Sequence, residues 1–191
     1  MKDDIEAVYV SPNGNIADIV VSNGLKYYPL DTTCVTKSSL KRAIADIQPD
    51  IIHTHDYRAG IVAAFIHTNI PIINHLHNNT PFMRSVNPKS VIYGLSTLRY
   101  KAMFTVSDSV ISEYIFKNLI KDKTRVIGNP LDIELINEKS KHAVLNESSS
   151  ILFLGRLAEQ KNPIKFVDII KSVHDIKPEI KVAMVGIGEL E

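Results

Sequence analysis

The sequence predicts an α/β fold with parallel sheet, on three observations. Apolar runs of strand length alternate strictly with segments of helical period, the pattern of a parallel, doubly wound sheet. At 45% apolar and 23% charged residues, the composition supplies a core of ordinary globular proportions. The alternation lapses over a polar stretch at 137–150 and restarts at 151, which divides the 191 residues into two parts.

Taken in order, 5–10 reads as a strand closed by a Pro12-Asn13-Gly14 turn. Ile16, Ile19 and Val20 recur at helical spacing, and Asn23-Gly24 is a helix stop. A strand over 25–30 leads to a helix from Lys37, where Leu40, Ala43, Ile44 and Ile47 form one apolar stripe. Pro49 ends it. Strand 50–54, helix 58–67 and strand 71–76 follow, then a polar loop through Pro81. Val91, Ile92, Leu95 and Leu98 mark a further helix, and 103–106 a strand. Ser107 or Asp108 caps a helix expected to run to about Leu119, and 125–127 is the sixth strand. The first domain is thus 1–136 and the linker 137–150, with its Ser148-Ser149-Ser150 end. In 151–191, Ile151 to Leu154 reads as a short buried strand, followed by a helix from Pro163 to about His174 and a strand over 180–185. Two strands and one helix cannot cover both faces of a parallel sheet, so this second domain reads as incomplete.

Bulk properties exclude several classes. A net charge of +1 argues against a global electrostatic grip on nucleic acid or membrane. The single cysteine, Cys34, excludes an intrachain disulfide framework. Met1-Lys2-Asp3-Asp4-Ile5 does not read as a secretion signal, and nothing reaches the ~20 apolar residues of a membrane span. The expectation is a cytoplasmic protein.

Chemistry concentrates at predicted strand ends. After strand 151–154 come Gly155-Arg156, then Lys161-Asn162-Pro163, with Asn as helix cap and Pro at the first helical position. Parallel sheets bind ligands at their carboxyl edge, and a helix N-terminus offers free N–H groups to anions. Arg156 and Lys161 add a fork donor and a point charge, the usual partners of phosphate. The plainer reading is a solvated basic loop. His53-Thr54-His55-Asp56 and His75-Leu76-His77-Asn78 end two other strands, and alternation puts each pair on one face. Two such pairs with Asp56 contain enough ligands for zinc, so a metal-dependent hydrolase is one alternative; ordinary loop or core histidines are another. Between Asp56 and Asp108 there is no acidic residue, whereas Arg58, Arg84, Lys89, Arg99 and Lys101 fall inside. Interleaved with Ile92, Tyr93, Leu95 and Leu98, the 84–101 segment suits either contact with anionic lipid or a core-packed helix with solvated bases.

The order of Pro71-Ile-Ile-Asn-His-Leu-His77, Val126-Ile-Gly-Asn-Pro-Leu-Asp132, Gly155-Arg156…Lys161 and Gly186-Ile187-Gly188 resembles the retaining glycosyltransferases of the family 4 type. The resemblance runs through nearly the whole chain. It implies a GT-B-like fold, a Rossmann-like parallel-sheet domain followed by the opening of a second. It implies transfer of a sugar from a nucleotide-diphosphate donor to an acceptor hydroxyl with retention, in polysaccharide or glycolipid biosynthesis. By the same resemblance His77 lies beside the reacting sugar and is the catalytic residue. His55 and Asp56 shape the acceptor side, Arg156 and Lys161 hold the donor diphosphate, and Gly186 and Gly188 form the nucleotide-binding loop. Asn129 and Asp132 match a structural hinge motif. Protein cations would neutralise the diphosphate, so neither a cofactor nor a metal is expected. The partners would be the donor and a sugar or lipid-linked acceptor, not nucleic acid, with peripheral contact to the inner membrane face through 84–101. The family's first strand with its glycine-rich loop, and its pair of glutamates seven apart, have no match in 1–191, so the chain is expected to be an interior piece of such an enzyme. A non-catalytic remnant serving as an interaction module is the other outcome of that departure.

Overall fold

The computed structural model describes residues 5–141 and 149–191. The chain forms two compact units, Met1–Pro130 and Leu131–Glu191.

The first unit alternates strand and helix throughout: β1 (Val8–Pro12), α1 (Ile16–Ser22), β2 (Lys26–Leu30), α2 (Lys37–Ile47), β3 (Ile52–His55), α3 (Asp56–Ala64), β4 (Ile72–Leu76), α4 (Pro88–Thr97), β5 (Tyr100–Thr105), α5 (Asp108–Ser112) and β6 (Thr124–Val126). Every ladder is parallel, as the alternation requires. The ladder bonds fall into a two-stranded sheet, β1-β2, and a four-stranded sheet in chain order, β3-β4-β5-β6, rather than one continuous doubly wound sheet. β1 also runs through Pro12, which pairs with Leu30, so the strand begins and ends later than the sequence suggests. β1 is an edge strand of its two-stranded sheet, where the missing N–H of proline is tolerated.

Ile72, Leu76, Met103, Tyr93, Tyr114 and Ile120 are almost wholly buried and form the centre of the core. α2 starts on a reciprocal capping box between Thr36 and Ser39, and ends on Gln48 in the left-handed region, which stops the helix. α3 packs closely on β4 because position 60 is glycine. A Cβ there would lie 2.6 Å from the Asn74 amide nitrogen and 2.7 Å from the Tyr100 hydroxyl.

Two helices depart from expectation. α5 stops at Ser112 instead of running to about Leu119. The Ile115 N–H donates to the Met83 carbonyl at 2.8 Å, and the chain continues in two short 3₁₀ turns instead. The Ser107 hydroxyl meets that of Ser109 rather than capping the helix. α4 is turned inside out. Its apolar set, Val91, Ile92, Leu95 and Leu98 just beyond it, is exposed, while Ser90, Tyr93, Gly94, Ser96 and Thr97 are buried. The inward polar atoms are satisfied: Tyr93 donates to Asn74 Oδ1 at 2.6 Å, Ser96 meets the Tyr100 hydroxyl at 2.9 Å, and Tyr114 donates to the Ser90 carbonyl at 2.9 Å. Buried hydroxyls with partners cost little, which lets small polar residues set the close approach.

The second unit holds α6 (Ile133–Lys141), β7 (Ile151–Leu154), α7 (Pro163–Ile176) and β8 (Val182–Val185), with β7 and β8 in parallel register. α6 extends into the stretch expected to be a linker. Asp132 accepts from the Leu135 N–H at 2.8 Å at its start, and Lys139 and Lys141 complement its last turn. The rest of the expected linker, 142–148, lies outside the described residues. β7 is not the buried strand its apolar run suggests. Leu152 is 56% and Leu154 75% exposed. Among the described residues, α7 packs on one face of this sheet, with the Phe166 ring 5.1 Å from that of Phe153, and Leu152 and Leu154 are left exposed.

Candidate functional site

At the carboxyl edge of the four-stranded sheet, register places His55 of β3 beside His75 of β4. Alternation brings His53 and His77 to the same side. The ring centroids are 4.6 Å apart for His53–His55, 5.0 Å for His55–His77 and 4.2 Å for His75–His77. His53 stacks on His75 at 5.8 Å, and the Phe104 ring of β5 stands edge-on to both. All four strand-end histidines therefore belong to one cluster.

Its hydrogen bonds fix the tautomers. The oxygen of Asn129 can only accept, so His77 Nδ1 donates to it at 3.1 Å. His77 Nε2 is left as acceptor, and His55 Nδ1 donates to it at 2.8 Å. His75 is 8% exposed and its Nε2 has no hydrogen-bond partner among the described residues. Burial, and the mutual repulsion of the rings, hold His55 at a pKa of about 4. The same causes lower those of His53 and His75, although a backbone hydrogen bond at Ile127 pulls His75 the other way. At neutral pH these three rings are uncharged and their free nitrogens are Lewis bases.

Asp56, the first residue of α3, carries the geometry. Its φ is +64°, a left-handed conformation that costs a non-glycine residue roughly 1 kcal/mol or more. Asn74, fully buried, pins that turn by donating to the Asp56 carbonyl at 3.1 Å and to the Thr54 hydroxyl at 3.0 Å. The Asp56 carboxylate, free of the backbone turn, accepts the His77 N–H at 3.2 Å. It thus positions His77 through the backbone rather than joining the imidazoles. Sequence reading singled out His55, Asp56 and His77, but gave Asn74 no role and made Asn129 a hinge residue. A lone amide in the apolar run of β4 was the signal for Asn74.

In the second unit the loop after β7 leads to a 3₁₀ turn, Glu159–Lys161, and then to α7. Asn162 caps α7, accepting from the Lys165 N–H at 3.4 Å with φ +51°, and Pro163 takes the first helical position. Arg156 is exposed and reaches only Gln160, at 3.4 Å; among the described residues neither it nor Lys161 has an acidic partner. Gly186 and Gly188 are required by this same loop. A Cβ at 186 would lie 1.8 Å from the Gly155 carbonyl oxygen, and one at 188 would lie 2.3 Å from that of Leu157. Both glycines thus let the backbone approach the Gly155–Leu157 loop closely.

The model of Glycosyltransferase Family 4 matches residues 4–135. The chain belongs to this family. The match contains both sheets of the first unit and the whole imidazole cluster. An uncharacterized glycosyltransferase of Methanocaldococcus jannaschii, MJ1059, is 28% identical over 175 residues, covering 78% of this family 4 chain and 42% of its own length. Among solved structures, Alr3699/HepE of Anabaena in complex with UDP-glucose superposes with a TM-score of 0.66 at 15% identity, covering 92% of the chain and 59% of its own length. A glycosyltransferase from Rickettsia africae ESF-5 does so with a TM-score of 0.60 at 14% identity, covering 96% and 60%. The α/β units therefore have the GT-B type of fold, and the chain spans about 42% of the curated relative and about 60% of the solved structures. No described helix is long and apolar enough to cross a membrane.

Proposed function

We propose that this chain forms the acceptor-side domain and the opening of the donor-side domain of a retaining glycosyltransferase. The donor is a nucleotide-diphosphate sugar, and the product belongs to polysaccharide or glycolipid synthesis. The observation that carries the reading is the loop after β7. Arg156 and Lys161, unopposed by acids among the described residues, flank the capped N-terminus of α7. Cleavage of the sugar–oxygen bond leaves charge on the departing diphosphate. Two fixed cations with helix N–H groups stabilise that charge without a metal. The UDP-glucose held by the Anabaena structure fits a donor of this class. His77 is the residue proposed to touch the reacting sugar, with His55 and Asp56 on the acceptor side. Its Nε2 is an acceptor oriented by Asn129 and by Asp56.

Calorimetry with UDP- and GDP-sugars tests the donor site. Saturable binding is expected, weakened at least about tenfold by Arg156→Ala/Lys161→Ala, since each charged hydrogen bond contributes roughly 1.5–3 kcal/mol. Binding that ignores the double substitution would overturn the assignment of the loop.

A membrane-facing role for 84–101 is supported by α4. Ile92, Leu95 and Leu98 point outward, and Lys89 and Lys101 have no acidic partner among the described residues. Arg84 and Arg99 are committed to Glu113 and to the Thr68 carbonyl. Co-sedimentation with phosphatidylserine vesicles, but not phosphatidylcholine ones, is expected, and Ile92→Glu/Leu95→Glu removes it.

A further inference from the structure

We propose that His55, His75 and His77 form a three-imidazole site for a borderline divalent transition metal ion, of which zinc is the reference. One nitrogen from each ring lies within 4.8 Å of the others: His55 is the last residue of β3, His75 lies within β4, and His77 directly follows β4. A tetrahedral zinc ion holds imidazole nitrogens at 2.0–2.1 Å, which puts them about 3.3 Å apart. The 2.8 Å pair of His55 Nδ1 and His77 Nε2 has to open by about half an ångström, and the third nitrogen, within 4.8 Å of the others, to move in by up to about 1.5 Å through side-chain rotation, to meet that geometry.

Two independent observations point the same way. His75 is buried with Nε2 lacking any partner among the described residues, and an orphaned buried ring nitrogen is what an absent ion or water leaves behind. His77 Nδ1 donates to Asn129 Oδ1, the outer-shell arrangement that fixes a ligating imidazole in the tautomer with Nε2 free. Binding asks one rearrangement of protons. His55 moves its hydrogen from Nδ1 to Nε2, so the three rings enter neutral and the site takes on the charge of the ion. Soft thiolates are absent from the ligand set, and imidazoles alone favour zinc, copper, nickel or cobalt over magnesium or calcium. Three protein ligands leave the fourth position to water or to an oxygen of a bound molecule. The ion would sit where the acceptor side of the glycosyltransferase site is proposed, and would take the nitrogen of His77 assigned to the sugar. Metal occupancy and acceptor binding are then mutually exclusive, and the site is a switch rather than part of transfer.

The test is a Co²⁺ titration of the full chain, read by the visible d–d absorption of tetrahedral cobalt and by displacement with Zn²⁺. One ion per chain is expected. His55→Ala and His77→Ala, both outside the core, should each weaken it at least about tenfold, and Asn129→Ala by about tenfold through the outer shell. His67→Ala, outside the cluster, should leave it unchanged. Absence of uptake by folded protein, or uptake that survives His55→Ala and His77→Ala, would overturn the site. Donor calorimetry in the presence of a chelator separates this inference from the glycosyltransferase reading. Metal uptake without donor binding preserves the one and removes the other.

Discussion

The strand-end imidazoles carry a consequence for stability against acid. His55 has a folded pKa of about 4, below the ordinary histidine value, so between about pH 6.5 and 4 the unfolded chain binds protons that the native one refuses. Native stability should therefore be full above pH 6.5 and fall as the pH drops through that window. Urea midpoints of chelated protein at pH 7 and pH 5 measure the slope, which His55→Gln should flatten. An unchanged slope would mean that the ring is not held neutral. At the same scale the glycines sort cleanly. Gly186→Ala drives a methyl into the Gly155 carbonyl and should cost at least about 2 kcal/mol, whereas Gly14→Ala meets nothing within 4 Å and should stay within about 0.5 kcal/mol. Thermal melts of the two variants decide it. The histidine pairs and the Gly155-Arg156 loop were legible because alternation across a strand and turn chemistry are local rules. That the two pairs could meet was raised with the zinc alternative, but how His53, His55, His75 and His77 are spaced depends on the register of β3 against β4, which no local pattern encodes.

At the level of the element, α4 shows where periodicity misleads. Val91, Ile92, Leu95 and Leu98 have the spacing of a core stripe, yet the helix buries its hydroxyls and its glycine instead. Hydrophobic spacing reports a helix reliably but names its inner face only when polar partners do not compete. Here Asn74, Tyr100 and Tyr114 offer them. Substitutions should invert accordingly. Leu95→Glu should change stability by about 0.5 kcal/mol or less, whereas Ser96→Leu overfills a buried site and should cost roughly 1–3 kcal/mol. Chemical denaturation of both variants is the check, and a costly Leu95→Glu would show that the outer face is packed. α5 fails for a related reason. Its apolar sequence could continue a helix, but one backbone bond to Met83 redirects it.

Over the whole molecule, the alternation of strand and helix was enough to read parallel α/β architecture; the polar break suggested a division at 137–150, whereas the two compact units divide between Pro130 and Leu131. The alternation was not enough to see α6 in that break, because a short capped helix with a weak apolar stripe resembles polar linker. The second unit leaves Leu152, Leu154, Ile164 and Val167 exposed around one small sheet. So much open apolar surface should make the isolated chain self-associate. Sedimentation at rising concentration tests this, and a monomer throughout would count against it.

In the four-stranded sheet the spatial order, β3-β4-β5-β6, is also the order in which a ribosome delivers the strands. Parallel partners cannot zip from a hairpin; each must wait for its crossover helix to be made before docking on the strand before it. Synthesis from the N-terminus therefore lets this sheet grow by one edge at a time, each new strand meeting a finished template. The imidazole cluster would be complete, with His55 beside His75, once β4 has docked, before most of β5 and all of the second unit have emerged.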